Sequence, residues 1–400
     1  MKLRLLLALP QMPQDPASGA ARTAQTACEM AAQSGFGVRA LGTTATERGI
    51  TATATDYLCS AGTEFRQSTV AQRRVLEFTQ RGVSYRLLDT GKESPVSWEK
   101  AYGRAYDLLF DEELERFTPD LVLTFGGLPG DLHRHRRARQ AGANVVFCLF
   151  NLHYLHAPQT FRNVSAVLTP SEFLARRYRD EIGLDSVPLP TPVDFDDVFA
   201  PARDPVFVTM VNPSIEKGLY FFVRLAEELA LRHPEIAVLA VESRGTAGMV
   251  VKAGLAGGFD LRRHESVMIA GAVPMPRDIF ANTRVLIAPS VVEEASGRVV
   301  AEALVNGVPP LVSDRGGMSE SCNGAGFVLP LPPDLTLASR KPVEPEAVEA
   351  WIEPIARLCF DESFYAEQSA RAAAAAEMYR RDVLARRYVE FFARAVAAQV

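Results

Sequence analysis

The feature that most constrains the fold of this 400-residue chain is a repeated alternation of short apolar runs with helical stretches. Runs such as LRLLLALP, DLVLTFGG and NVVFCLFN are apolar on successive residues, as in strands buried on both faces of a sheet. Between them lie segments such as SWEKAYGRAYDLLF, whose apolar residues recur at helical spacing. Strands that alternate with helices in this way predict doubly wound parallel α/β sheets.

The alternation is interrupted once, by a proline- and aspartate-rich segment near residues 185–205 that is typical of a connection between domains. A chain of 400 residues also exceeds the length that one hydrophobic core usually serves. We therefore expect two Rossmann-like domains, residues 1–199 and residues 200–383. Ligands of such sheets bind beyond the carboxyl ends of the strands, so two sheets facing each other predict an inter-domain cleft.

The composition argues against several classes of protein. The net charge of −5 gives no indication of a nucleic-acid partner, and no apolar run reaches the length of a membrane span. The five cysteines are dispersed without a C-x-x-C pair, which argues against a disulfide framework and favours a cytoplasmic location. The first leucine run is short for a secretory signal and predicts a buried strand, with a secretory signal as the alternative.

The segment GDLHRHRRARQAG concentrates histidines and arginines. A metal site formed by His133 and His135 with His153 and His156 is conceivable, but no accompanying carboxylate pattern is evident, so no metal is expected. The arginine run is expected to form a solvated helix face. An anionic acceptor or a membrane surface is the alternative partner for these arginines.

The stretch EEASGRVVAEAL follows the apolar run RVLIAPS. Ser296 is the expected N-cap of a helix that starts near Gly297, and the backbone N–H groups of a helix start attract an anion. Glu294 in the loop and Glu302 in the helix are placed to accept hydrogen bonds from different hydroxyls of one elongated ligand. Alternatively, Glu293 and Glu294 only favour the helix dipole, and the spacing alone leaves both interpretations open.

Three further loops follow predicted strands. VTMVNPSIEKG places Lys217 and Gly218 at a helix start, which suits a phosphate, although a surface lysine is the plainer interpretation. PQMPQDPASGAARTA places Gly19 at another helix start, for which a simple N-cap is the alternative. His153 follows NVVFCLFN and is expected at the cleft edge, with His156 as a competitor and a structural role as the alternative.

The segment PSVVEEASGRVVAEALVNGVPPLVSDRGGMSE resembles the E-x7-E region of retaining GT-B glycosyltransferases of the family four type, the glycosyl transferases group 1. The two glutamates of that motif fall on Glu294 and Glu302. The resemblance implies a GT-B fold, with two facing Rossmann-like domains and an inter-domain cleft. It also implies that a last helix, at about residues 384–400, crosses back onto the N-terminal domain.

The resemblance also implies roles for individual residues. Glu294 would contact hydroxyls of the donor sugar, Glu302 would hold the ribose of the nucleotide, and Lys217 would bind the diphosphate. Gly19 would approach the donor phosphates, and His153 would lie near the donor sugar. Backbone groups would complete the donor site. Those of Ser296, Gly297, Arg298 and Val299 at the helix start would lie near the sugar and the diphosphate, and those of Ala272 and Val273 would contact the nucleobase. No metal and no cofactor is implied, because the nucleotide sugar is a co-substrate.

The chain departs from the family pattern at one position of the segment VTMVNPSIEKG, which carries Lys217. The family usually carries an arginine five residues before the lysine, and here that position is Asn212. One positive charge on the diphosphate is therefore missing. Arg298 is the expected replacement, with Arg22 and Arg244 as weaker candidates.

The resemblance implies a retaining transfer of a sugar from a UDP- or GDP-sugar to a glycan, a lipid-linked saccharide or a small metabolite. Peripheral membrane association is compatible with this but not indicated. Two alternatives remain open. One is a GT-B nucleotide-sugar epimerase or sugar phosphorylase. The other is a nucleotide-sugar binding protein with weak or no catalysis, which Asn212 keeps open.

Overall fold

The computed structural model of the protein describes residues 2–15, 18–47, 53–91, 93–273 and 275–397. The chain divides into an N-terminal unit, Met1–Pro192 with Arg381–Val400, and a C-terminal unit, Val193–Arg380. It leaves the N-terminal unit within the proline-rich segment and returns to it for the last helix. The expected boundaries, after residues 199 and 383, differ from the observed ones by a few residues.

The N-terminal unit is built on one sheet, which has nine strands in the part of the chain that the structure describes. These strands are β1 (Arg4–Ala8), β2 (Gly37–Thr43), β3 (Phe65–Val70), β4 (Arg73–Gln80), β5 (Val83–Leu88), β6 (Leu121–Thr124), β7 (Asn144–Cys148), β8 (Ala166–Thr169) and β9 (Val187–Pro188). Their order is β3-β4-β5-β2-β1-β6-β7-β8-β9. The helices between them are α1 (Gly19–Gln33), α2 (Ala54–Ser60), α3 (Glu99–Arg116), α4 (Asp131–Gln140) and α5 (Glu172–Ile182).

The central strands of this sheet are parallel and buried, as the apolar runs predict. Leu5, Leu6 and Leu7 of β1 are fully buried between the parallel neighbours β2 and β6. At one edge β5, which the sequence predicts as a strand, pairs in parallel with β2. The sheet then continues with β4 and β3 in antiparallel pairing, and the apolar runs do not predict these two strands. The turn between β3 and β4 is made by Ala71 and Gln72, both at positive φ, which suits a two-residue hairpin.

The C-terminal unit has a smaller sheet, with six parallel strands among the described residues. They are β10 (Phe207–Val211), β11 (Val238–Val241), β12 (Val267–Ala270), β13 (Thr283–Ala288), β14 (Pro310–Ser313) and β15 (Phe327–Leu329), in the order β12-β11-β10-β13-β14-β15. Its helices are α6 (Phe195–Val198), α7 (Leu219–Arg232), α8 (Ala247–Ala256), α9 (Pro276–Phe280), α10 (Arg298–Val305), α11 (Met318–Ser321), α12 (Glu349–Phe360) and α13 (Glu362–Ala375).

The core of the C-terminal unit is packed around helix α7. Phe221 and Phe222 of α7 are fully buried, and the ring of Phe221 meets that of Trp351 at 5.0 Å between centroids. Aromatic pairs of this kind stabilise a core beyond the area that they bury. The parallel strands and crossover helices of both units confirm the prediction of two doubly wound α/β domains.

The last helix, α14 (Arg381–Ala397), belongs to the N-terminal unit and packs against α1. Phe392 is fully buried and meets Phe36 edge to face, with 6.4 Å between ring centroids. Asn144 Nδ2 donates a hydrogen bond of 2.8 Å to the carbonyl oxygen of Ala395. The helix expected at about residues 384–400 overlaps this element, and residues 398–400 lie outside the described part of the chain.

No helix formed by the described residues is long and apolar enough to cross a lipid bilayer.

Candidate functional site

The candidate site of the C-terminal unit lies at the carboxyl ends of its parallel strands. Strand β10 lies between β11 and β13, so the loops that follow these three strands are neighbours. The loop after β10 is tied to the loop after β13 by a hydrogen bond of 2.9 Å from the Val291 amide to the carbonyl oxygen of Glu216. This contact brings Lys217 and Glu294 together.

Lys217 and Glu294 form an ion pair at the centre of the site. Lys217 Nζ lies 2.6 Å from Glu294 Oε1, and the Ser290 hydroxyl donates to the same oxygen at 2.7 Å. Both charged side chains are partly exposed, with relative exposures of 30% for lysine and 15% for glutamate. The carboxylate is therefore held in place and still faces solvent.

Two glycines make this pairing sterically feasible. Gly218 has φ +90, and a Cβ at this position would overlap the carbonyl oxygen of Pro289. Gly316 has φ +72, and a Cβ there would overlap the backbone of Glu294, whose carbonyl oxygen accepts a hydrogen bond of 2.7 Å from the Gly317 amide. Only glycine fits both the close approach and the left-handed backbone at these positions.

Helix α10 begins one residue later than expected. Gly297, not Ser296, is its N-cap, and no side chain caps this helix start. A Cβ on Gly297 would crowd Val300 and Met318, and the Gly297 amide donates to Ser321 Oγ at 2.7 Å. The prediction of Ser296 as the N-cap is therefore wrong, because close packing at position 297 selects glycine. The Gly297 amide, which was expected to face a ligand, thus donates its hydrogen bond within the protein.

Glu302 lies one turn into α10 and pairs with Arg298, whose Nε is 2.9 Å from Glu302 Oε1. Both side chains are mostly buried, with relative exposures of 19% and 12%. Val299 follows Arg298 in the first turn of the same helix. The structure thus places Arg298 against the second glutamate of the motif, so part of its charge is neutralised there.

Asn212 directly follows β10 and is in the left-handed conformation, with φ +61, which asparagine tolerates better than most residues. Its side-chain oxygen accepts a hydrogen bond of 2.8 Å from the Gly245 amide, and its own amide donates to Val241 at 2.9 Å. A Cβ on Gly245 would overlap Pro213, so the two loops are in close contact. The Asn212 side chain therefore joins the loops after β10 and β11.

Ala272 and Val273 lie in the loop after β12, the edge strand that pairs with β11. Their loop is at the same end of the sheet as those of Lys217 and Glu294. The structure therefore places Ala272 and Val273, the two expected nucleobase contacts, at the same carboxyl end of the parallel strands as Lys217 and Glu294.

Two expected site residues belong to the N-terminal unit. Gly19 is the first residue of α1, and its N-cap Ser18 accepts a hydrogen bond from the Ala21 amide. His153 is exposed and begins a short 3-10 helix after β7, where its amide donates to Asn151 Oδ1 at 2.9 Å. Both residues follow the carboxyl ends of parallel strands.

A buried charged cluster on α4 was missed by the sequence reasoning. Arg134 is only 4% exposed and its guanidinium forms ion pairs with Glu99 at 2.7 Å, Asp107 at 2.8 Å and Asp131 at 3.0 Å. Burial raises the pKa of Asp131 to about 6 although Arg134 lowers it. The expectation of a solvated arginine face is wrong for Arg134, because carboxylates from α3 draw it inward.

The neighbouring His135 is buried as well, and its ring meets Phe147 edge to face. Burial lowers the pKa of His135 to about 4, and the charge of Arg134 adds to this effect. Within the described residues, no group of three or more His, Cys, Asp or Glu side chains is arranged to hold a metal ion.

Comparison with known proteins bears on both units. Residues 203–341 match the family model of glycosyl transferases group 1. A search of curated proteins gave no match. Among solved structures, a glycosyltransferase from Rickettsia africae ESF-5 is similar over 99% of each chain, with a TM-score of 0.68 and 14% identity.

Two other similar structures contain nucleotides. Anabaena Alr3699/HepE in complex with UDP and glucose matches over 98% of this chain and 100% of its own, with a TM-score of 0.65 and 14% identity. The catalytic domain of Starch Synthase IV from Arabidopsis thaliana, bound to ADP and acarbose, matches over 99% of each chain, with a TM-score of 0.67 and 12% identity. The chain has the GT-B fold, and this fold together with the family match of residues 203–341 supports a glycosyltransferase.

Proposed function

We propose that this protein is a retaining, metal-independent glycosyltransferase. It transfers a sugar from a UDP- or GDP-sugar to a glycan, a lipid-linked saccharide or a small-molecule acceptor. The observation that carries the proposal is the Lys217–Glu294 ion pair at the carboxyl edge of the C-terminal sheet. A cation beside a helix start suits a diphosphate, and an adjacent carboxylate suits sugar hydroxyls.

The ion pair represents the resting arrangement of the donor site. When a nucleotide sugar binds, Lys217 Nζ exchanges the Glu294 carboxylate for an oxygen of the diphosphate. The carboxylate then accepts hydrogen bonds from hydroxyls of the sugar, while Ser290 still donates to it. The same two residues thus hold each other in the absence of donor and hold adjacent parts of the donor when it is bound.

Glu302 is proposed to accept hydrogen bonds from the ribose hydroxyls. Its partner Arg298, at 2.9 Å, holds the carboxylate in one orientation on α10. Ala272 and Val273 would then meet the nucleobase through backbone groups. Similar structures bound to UDP and to ADP support a nucleoside diphosphate as the common part of the donor.

The proposed reaction keeps the anomeric configuration. The bond between the anomeric carbon and the diphosphate oxygen breaks, and the bond to the acceptor oxygen forms on the same face of the sugar. The acceptor proton passes to the departing phosphate oxygen, so no protein base is required. Lys217 stabilises the negative charge that develops on the diphosphate, which is the role a metal ion has in other enzymes.

The acceptor is proposed to bind to the N-terminal unit, where Gly19 and His153 follow the ends of strands. All five cysteines are free thiols, which favours a reducing, cytoplasmic location.

The experiment that tests this function combines binding with product detection. Melting temperatures are measured with UDP, GDP, ADP and their sugars, because a ligand of the native state raises the melting temperature according to its affinity. Proton NMR then follows the stabilising sugar nucleotide with the enzyme alone. We expect slow release of the nucleoside diphosphate and of a sugar that first appears with the anomeric configuration of the donor.

Other outcomes identify the alternatives. An isomerised sugar nucleotide without release of nucleoside diphosphate would show an epimerase, and a reaction that depends on inorganic phosphate would show a phosphorylase. Binding without any product over long incubation would favour a binding protein. Stabilisation by none of the nucleotides would contradict the proposal altogether.

A further inference from the structure

The loop after β11, residues 242–246, lies between the two loops at which the proposed function places the nucleobase and the diphosphate. Strand β11 is placed between β10 and β12 in the sheet. Its loop therefore separates the loop of Lys217 from the loop of Ala272 and Val273. If the base and the diphosphate bind at those two loops, as the proposed function requires, the intervening phosphate lies beside residues 242–246. This step rests on the proposed function.

The backbone of this loop is held firmly against the loop after β10, which carries Lys217. Asn212 Oδ1 accepts the Gly245 amide at 2.8 Å, and the Gly245 carbonyl oxygen accepts the Ser243 amide at 3.0 Å. A Cβ at position 245 would overlap Pro213, so glycine allows the two backbones to touch. Arg244, between the two bonded residues, is therefore anchored on both sides while its side chain is exposed.

The charge of the site calls for a further cation. Lys217 faces Glu294, and Arg298 faces Glu302, so each of these pairs has no net charge. Arg315, after β14, donates to the carbonyl oxygens of Val291, Pro332 and Leu335. A nucleoside diphosphate brings at least two negative charges to this edge, and the pairs supply little to balance them.

Arg244 and Lys217 act on a common carboxylate. Burial of Glu216 raises the pKa of its carboxyl. The opposing effects are larger, so the pKa is lowered overall; they come from a backbone hydrogen bond, a hydrogen bond with Ser214 and the charges of Arg244 and Lys217. Arg244 therefore acts electrostatically on the loop that carries Lys217. This agrees with the hydrogen bond from the Gly245 amide to Asn212 Oδ1, which ties the two loops together.

We propose that Arg244 binds the diphosphate of the nucleotide sugar, and that Asn212 is a positioning residue that holds the Arg244 loop through Gly245. The guanidinium of Arg244 can donate two hydrogen bonds to phosphate oxygens, which an ammonium group does with less geometric specificity. Arg298, in contrast, acts on the nucleoside through Glu302. Arg244, on the adjacent loop, thus supplies the positive charge that an arginine at position 212 would provide.

Calorimetric titration of the full-length protein with UDP and with uridine tests this inference. Arg244→Ala should weaken UDP binding by about tenfold or more and leave uridine binding unchanged, since a tenfold loss corresponds to about 1.4 kcal/mol. Arg244→Lys should bind UDP with intermediate affinity. Lys252→Ala is the matched control, because Lys252 is an exposed cation on the following helix α8, and it should bind UDP as the wild type does.

Asn212→Gly tests the positioning role, because glycine keeps the positive φ and removes only the side-chain acceptor. It should weaken UDP binding less than Arg244→Ala, and the double variant should bind UDP no more weakly than Arg244→Ala alone. Melting temperatures of all variants verify that they fold.

Two results would overturn the inference. In the first, the wild type binds UDP and Arg244→Ala binds it equally well, which leaves the proposed function intact. In the second, Lys252→Ala loses as much affinity, which shows a diffuse charge effect. If the wild type binds none of UDP, GDP and ADP, the proposed function itself fails and the inference fails with it.

Discussion

Lys217 and Glu294 are 77 positions apart in the sequence and are joined by an ion pair of 2.6 Å at the end of the C-terminal sheet. The pair depends on the contact between the loops after β10 and β13, through the Val291 amide and the Glu216 carbonyl oxygen. A lysine beside a helix start suits a phosphate and a carboxylate suits hydroxyls, so the pair supports the proposed nucleotide-sugar site.

Glu294→Ala should reduce sugar transfer strongly and leave nucleotide binding largely intact. The carboxylate is proposed to orient the donor sugar, whereas Glu302 and Lys217 hold the nucleotide. We expect a loss of roughly 100-fold in kcat, a magnitude typical of losing one directed polar contact in an active site. Release of the nucleoside diphosphate from the preferred donor measures this loss.

Glu293→Ala is the matched control for Glu294→Ala. Glu293 is the adjacent acidic residue and is exposed, and it should retain wild-type turnover within about twofold, as expected of a surface change. Equal losses in both variants would assign the effect to the general charge of the loop and remove the proposed role of Glu294.

Arg298→Ala should weaken the binding of UDP and uridine by similar factors. Arg298 contacts Glu302 at 2.9 Å, so its removal releases the carboxylate that is proposed to hold the ribose. Arg244→Ala should affect only ligands that carry phosphate. Calorimetry with both ligands separates the two roles, and a loss for UDP alone in Arg298→Ala would place Arg298 on the diphosphate instead.

Gly218→Ala should destabilise the protein far more than Gly258→Ala. Both glycines have positive φ, +90 and +85, so both variants incur a backbone cost of about 1–2 kcal/mol. A Cβ at position 218 also overlaps Pro289, whereas nothing lies within 4 Å of a Cβ at position 258. Melting temperatures of the two variants check this difference, and similar decreases would show that the contact with Pro289 is not tight.

His135 should make the stability of the wild type rise with pH between about 4 and 6.5. Burial lowers the pKa of folded His135 to about 4, so in this range the unfolded chain binds more protons than the folded protein. Asp131, with its pKa raised to about 6, has the opposite dependence. Asp131 is common to the wild type and His135→Gln, so the comparison of the two isolates the histidine.

The measurement is the melting temperature of wild type and His135→Gln at pH 4.5 and pH 7. The wild type should gain more from the increase in pH than His135→Gln does. Parallel changes in the two proteins would show that His135 is accessible to protons in the folded state.

Much of the fold follows from the apolar runs, because strands buried on both faces must be apolar at every position. The hairpin β3–β4 could not be predicted in this way. Its turn uses Ala71 and Gln72 at positive φ, where asparagine and glycine are the usual signals. The burial of Arg134 could not be predicted either. A run of arginines indicates a solvent-exposed helix face, and the carboxylate partners of Arg134 come mostly from another helix.

The residues of the candidate site were more predictable than their pairings. The loop–strand pattern indicates Lys217 and Glu294, but their contact depends on the packing of Gly218 against Pro289 and of Gly316 against Glu294. The pairing of Arg298 with Glu302 and the bond from Gly245 to Asn212 are likewise three-dimensional features. They shift the expected second cation from Arg298 towards Arg244.

The most direct test of the central claim is a calorimetric titration of the wild type, Lys217→Ala and Lys252→Ala with UDP, or with GDP or ADP if that nucleotide stabilises the protein more. The account predicts that the wild type and Lys252→Ala bind with equal affinity and that Lys217→Ala binds at least about tenfold more weakly, a difference of about 1.4 kcal/mol. Equal affinity of Lys217→Ala and the wild type would contradict it, because the diphosphate would then bind elsewhere.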